Sequence, residues 1–183
     1  MARVPTQPMT AEEFFDLIIP DGRAELVRGE VVPMSFPSVK HGVIAARVTA
    51  RLLSFVEANA LGFVTAETGF ILERDPDTVR GPDVSFISLE RLGDQALPET
   101  FCPFAPDLAV EVISPSQRPK AVREKVRSWF AAGTRQVWLL YPVTRTIYVL
   151  SSPTDVQILG PDDTLIGGDL LPGFSCPVGA FFL

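Results

Sequence analysis

The chain has 183 residues, 46% of them hydrophobic, and carries a net charge of −6. This length suffices for one well-packed core and is short for two, and no stretch is apolar for long enough to read as a membrane span. The opening MARVPTQPMTAEEFF lacks the apolar core of a secretory leader, so a cytoplasmic protein with no membrane partner is expected.

Thr10 followed by Glu13 fits a capping box, which predicts a short helix over 11–19 stopped by Pro20-Asp21-Gly22. AELVRGEVVPM alternates about Arg28-Gly29 and predicts a hairpin. Ser38 can cap the next helix, in which Val43, Ile44, Val48, Leu52, Leu53 and Val56 keep helical spacing to Asn59. Strands are predicted at 63–72, 82–88 and 107–113, the last so apolar that it belongs in the middle of a sheet covered on both faces. A second helix opens at Pro115-Ser116 and closes at Gly133. Strands at 136–141 and 145–150 form a further hairpin, and VQIL and FSCPVGAFF add short strand-like pieces. The order predicts an α/β sandwich with a mixed sheet. One domain is expected: 1–9 flexible, 10–37 a helix and hairpin, 38–150 the core, and 151–183 a β-rich extension.

The side-chain types restrict the chemistry. Cys102 and Cys176 have neither zinc-ligand nor disulfide spacing and read as buried thiols. His41 is the one histidine, which excludes a multi-histidine metal centre. What remains is carboxylate and lysine. In PDLAVEVISPS, strand alternation puts Leu108, Val110 and Val112 on one face and Ala109, Glu111 and Ile113 on the other. A carboxylate among apolar neighbours needs a cation or hydrogen-bond donors. Asp83, at the start of the neighbouring predicted strand, can converge on Glu111, and the repulsion of two such carboxylates is relieved by a hard divalent ion, Mg²⁺ or Mn²⁺.

Lys125 is the candidate cation. At about 100° per residue, Val122, Val126, Trp129 and Phe130 make the buried face of the second helix and Lys125 falls about 60° to one side of Val122. Its stem can therefore lie on apolar surface while the ammonium reaches the carboxylates. Between Gln117 and Arg135 six basic residues stand against one acid, Glu124, within an otherwise acidic chain. Trp129, Phe130 and Trp138 suit core packing.

The pieces ELVRGEVVPM, His41, AETGFILERDPDTVRGPDVSF, PDLAVEVISPS, EKVRSWFAAGTRQVWLLYP and GGDLLPGF resemble, in order and spacing, the Uma-type restriction endonuclease family (DUF820-like) of the PD-(D/E)XK nuclease superfamily. The resemblance runs from about Glu25 to the end of the chain. It implies a restriction-endonuclease-like α+β core with a mixed central sheet flanked by helices, in which Asp83 and Glu111 bind Mg²⁺ or Mn²⁺ and a lysine orients the attacking water. The superfamily lysine lies two residues after the acid, where this chain has Ile113; the family pattern carries it on the following helix, where Lys125 stands. Tyr141-Pro142 replaces a common Asp-Pro, and Gln117 a common acid. Glu67, Glu25 and His41 match further positions of the pattern and are additional site candidates.

These readings imply a Mg²⁺-dependent endonuclease that hydrolyses DNA phosphodiesters with Asp83, Glu111 and Lys125, with Arg118, Lys120 and Arg123 as nucleic-acid contacts, and acting as a homodimer. The acidic net charge and Ile113 keep a non-cutting nuclease-fold module for nucleic-acid or protein binding as the alternative. A metal-free carboxylate-pair hydrolase acting on sugars is a third reading.

Overall fold

The computed structural model describes residues 7–19 and 23–183; the predicted Pro20-Asp21-Gly22 stop and most of the predicted flexible start lie outside the described residues. The elements in chain order are α1 (Ala11–Phe15), β1 (Arg23–Val27), β2 (Glu30–Met34), α2 (Val39–Ala58), β3 (Gly62–Ala66), β4 (Phe70–Glu73), β5 (Thr78–Arg80), β6 (Val84–Ser88) and α3 (Leu89–Leu92). There follow β7 (Leu108–Val112), α4 (Pro119–Ala131), β8 (Gln136–Tyr141), β9 (Thr146–Leu150), β10 (Val156–Leu159), β11 (Thr164–Ile166), β12 (Ser175–Pro177) and a 3₁₀ turn (Val178–Phe181).

A six-stranded sheet in the order β10-β9-β8-β7-β6-β3 forms the centre. β7 and β8 run parallel, joined by α4, while the other pairs are antiparallel. Alternation along β7 assigns its two faces. Leu108, Val110 and Val112 pack with Ile44, Val48, Leu52 and Val56 of α2, whereas Ala109 and Ile113 pack with Val126 and Trp129 of α4. Both faces of β7 are thus covered, as its composition requires. The C-terminal segment closes the α2 side: Phe174 lies against Phe55 and stacks on Trp138.

A four-stranded sheet, β2-β1-β5-β4, packs Leu26 and Val79 against Ala11 and Phe14 of α1. The β1–β2 turn uses Arg28 and Gly29 at φ 52° and 78°, the left-handed pair that a two-residue hairpin demands. Thr10 caps α1 with the predicted reciprocal box, and Asp77 fastens the helix from outside by accepting from the Ala11 N–H at 2.7 Å.

Several boundaries differ from the sequence expectation. α1 ends at Phe15, capped by Asp16, short of the expected Ile19. The strand expected over 63–72 is two strands in different sheets, β3 and β4, broken where Glu67 turns to φ 54°. β5 and α3 were not predicted; three or four residues carry too little periodicity to be read. α4 begins at Pro119, after a loop, and ends with Gly133 at φ 96°, the left-handed residue after the helix. Both cysteines are free and buried.

Candidate active site

The site lies where β6 stops short of β7. Their antiparallel register pairs Val84 with Val110, so Asp83 stands just beyond the end of β6, level with Glu111. On its β6 side the backbone of β7 runs past the last strand pair, and the Asp83 carboxylate takes the place of a partner: Oδ2 accepts from the Val112 N–H at 2.7 Å. His41, on the first turn of α2, brings Nε2 to 3.2 Å from the same oxygen. The Asp83 bond pushes the pKa of His41 up, against the opposing effect of burial, and the Val112 carbonyl and Glu111 add to the rise.

Glu111 projects from the face of β7 that α4 covers, the face it shares with Ala109 and Ile113. Lys125 Nζ lies 2.9 Å from its carboxylate, and Trp129 Nε1 donates to Oε1 at 3.2 Å. Lys125 and Trp129 are one helical turn apart, so both reach the same carboxylate from one side of α4. Lys125 also touches the four-stranded sheet: Nζ is 3.0 Å from Glu25 Oε1. Glu25 alternates with the core residue Leu26 and so turns toward α4, and Arg80 Nη1 donates to its Oε2 at 2.6 Å. Glu111, Lys125, Glu25 and Arg80 form one nearly dry chain of alternating charge.

Burial is the largest influence on Glu111 and raises its pKa to about 7; Lys125 opposes this, while Asp83 and Glu25 add to it. For Lys125, burial disfavours the ammonium, but Glu111 and Glu25 outweigh it and hold the pKa above the ordinary lysine value.

Of the residues nominated from sequence, the fold joins Asp83, Glu111, Lys125, Glu25 and His41. Glu67 stands apart: half exposed, it pairs with Arg23 at 2.8 Å beside the cleft. Arg118, Lys120 and Arg123 are exposed on or beside the first turns of α4. Two participants were missed. Arg80 sits among apolar and turn residues in TVRGPDV, and its partner lies 55 positions away, beyond any local pattern. Trp129 reads as core, which it is, yet its spacing of four from Lys125 was a usable signal for a shared target. The Pro106-Asp107 pair at the head of β7 is structural, since Asp107 accepts from the Ser88 N–H and from Arg91 Nε, each at 2.8 Å.

A cleft of about 500 Å³ opens over Asp83, Glu111 and Lys125. Among the described residues no three His, Cys, Asp or Glu side chains gather to hold an ion unaided. The donor set present is the two carboxylates of Asp83 and Glu111, which fits Mg²⁺, an ion commonly held by one or two carboxylates with waters filling the other positions. No helix of the described residues is long and apolar enough to cross a membrane.

No protein of curated function matches the chain. Among solved structures it resembles one described as a "putative nuclease belonging to DUF820" from Anabaena variabilis ATCC 29413, with TM-score 0.81 and 21% identity over 95% of this chain and 97% of that one. The likeness confirms the nuclease-like fold, a mixed sheet flanked by helices. Residues 11–179 match the family Uma2, described as "Putative restriction endonuclease". A match of that extent, with the expected fold around it, places this chain in the Uma2 restriction endonuclease family.

Proposed function

We propose that the chain is a divalent-metal-dependent endonuclease that hydrolyses phosphodiester bonds of DNA. The observation that carries this reading is the convergence of Asp83, Glu111 and Lys125 on the floor of one cleft, two carboxylates and one ammonium drawn from three separate elements. Asp83 and Glu111 would hold Mg²⁺ or Mn²⁺, which supplies Lewis-acid stabilisation of the phosphodiester and a lowered water pKa. Lys125 stands in place of the lysine missing at Ile113. Its ammonium, fixed by Glu111 and Glu25, orients the attacking water and offsets the negative charge that develops at phosphorus. Glu25 and Arg80 act through Lys125 as positioning residues. His41 holds Asp83 and lies where its own proton competes with a cation for the carboxylate. The family description supports DNA as the substrate.

Ile113 and the acidic net charge favour a second reading, a nuclease-fold module that binds without cutting. Calorimetric titration with Mn²⁺ and Mg²⁺ separates the two. Saturable binding by the wild type, lost in Asp83→Ala and in Glu111→Ala, with DNA cleavage that EDTA and Lys125→Ala both abolish, is the expected result. A folded wild type that binds neither ion, alone or with DNA, supports the non-cutting module.

A further inference from the structure

The rim of this cleft is apolar where its floor is charged. Phe36, in the loop between β2 and α2, is 74% exposed, and Val143, in the turn between β8 and β9, is 75% exposed, and both border the cavity above Asp83 and Glu111. The two lips are tied together by Lys40, whose Nζ donates to the Pro142 carbonyl at 3.5 Å. A single exposed apolar side chain is ordinary. Two at the mouth of one polar cleft, one of them an aromatic ring open to solvent, mark a surface for a flat apolar group.

A run of cations leads away from the same mouth. The Ser114–Gln117 loop lines the cleft and feeds into α4, where Arg118, Lys120, Arg123 and Arg127 are exposed. Only Lys120 of these four has an ion-pair partner among the described residues, Glu124 at 3.7 Å. The floor itself is deep: the side chains of Asp83, Glu111 and Lys125 are 14%, 7% and 13% exposed. A cleft of this size and depth takes a small ligand or a short length of one strand, and a base held in a duplex stack cannot turn its face to Phe36.

We propose that the cleft engages DNA as a single or locally unpaired strand: an unstacked base lies on Phe36 against Val143, its phosphate turns toward the Lys125 ammonium at the floor, and the α4 cations carry the adjoining backbone. An aromatic platform beside a basic track is the arrangement that binds single strands without needing base identity. This inference rests on the nuclease reading for the nature of the strand. It adds the substrate form, DNA with unpaired nucleotides in preference to uniform duplex.

The test is fluorescence anisotropy of the full chain with a labelled single-stranded oligonucleotide and with the same sequence as duplex, without divalent ion. The single strand is expected to bind more tightly, and Phe36→Ala to weaken it about tenfold, the scale of one lost base stack, while duplex affinity stays unchanged. Phe36→Trp provides a second readout. Both native tryptophans are wholly buried, so the new indole is the exposed one, and stacking should quench it with single strand and not with duplex.

Equal or tighter duplex binding, single-strand affinity indifferent to Phe36→Ala, or a dimer in light scattering that Phe36→Ala dissociates would each overturn the proposal, the last by showing a second copy on the lips. Phe36-dependent strand binding with no cleavage in Mg²⁺ or Mn²⁺ would sink the nuclease reading and keep this one. Duplex cleavage indifferent to Phe36 would do the reverse.

Discussion

Lys125 Nζ lies 2.9 Å from the Glu111 carboxylate, although β7 and α4 are separated by a loop and the two residues by 14 positions. The same nitrogen lies 3.0 Å from Glu25 on the other sheet, so one ammonium bridges two buried acids. Lys125→Met removes that charge, leaving Glu25 with Arg80 and the Glu111 carboxylate with the neutral Trp129 N–H in place of a cation. At pH 8 it should destabilise the chain by about 3–5 kcal/mol, the usual penalty for stranding a buried partner. Urea unfolding measures this, and an unchanged midpoint would contradict the network.

Catalysis should suffer more from Lys125→Met than stability alone explains. Loss of one preorganised donor to developing charge commonly lowers kcat on the order of 10²–10³-fold. Single-turnover cleavage by the folded fraction is the measurement. Glu25→Gln, which keeps the shape and removes the charge, should lower kcat with little change in KM, because it acts through Lys125.

His41 is the single histidine, so its imidazole proton resonance is unambiguous. Its titration midpoint should lie above the ordinary value of about 6.5, raised chiefly by the bond to Asp83, and Asp83→Asn should bring it down. A raised folded pKa means that the stability from the pair is complete below the unfolded value and is lost as pH rises through the folded one. The difference in unfolding free energy between wild type and His41→Ala should therefore shrink as pH rises above the ordinary histidine value of about 6.5.

Metal binding should carry the opposite pH dependence. Glu111, pushed up to about 7 by burial, and His41 both hold protons that a divalent ion must displace. Mn²⁺ affinity should rise between about pH 6 and 8, with proton release visible as a dependence of the calorimetric enthalpy on the buffer. Affinity flat across that range would remove Glu111 from the ion's surroundings.

Arg118 and Arg123 have no ion-pair partner among the described residues and should contribute phosphate contacts. Each change to alanine should weaken DNA binding similarly for all sequences and reduce the slope of log affinity against log salt by about one. A slope that does not move would assign these side chains to solvent.

Phe174 ties the C-terminal segment to the central sheet through Trp138 and Phe55. Phe174→Ala should cost about 3–5 kcal/mol in thermal or urea unfolding, the range for a buried aromatic lost from a core. A cost near zero would mean that the segment does not share the core of the sheet.

Local chemistry was enough to read α2, whose cap at Ser38 and apolar spacing to Val56 are both within one helix, and the hairpin turn at Arg28-Gly29, where the backbone needs positive φ at two successive residues. It was also enough to mark Glu111 as needing a partner, since alternation on β7 is strict and an acid on an apolar face is costly. Lys125 was reachable because its position on the helix follows from the angular step alone. The tertiary structure decided what no local pattern contains. The split at Glu67 sends β3 and β4 into different sheets, and the short β5 is held by its neighbours rather than by its own periodicity. Arg80 meets Glu25 only because β1 and β5 pair. Which acid joins Lys125 was decided in the same way: Glu25 reaches it across the junction of the two sheets, while Glu67 turns to Arg23. Capping, alternation and helical spacing act within a few residues and are written in the chain, whereas the pairing of buried charges depends on which surfaces the folded backbone brings into contact.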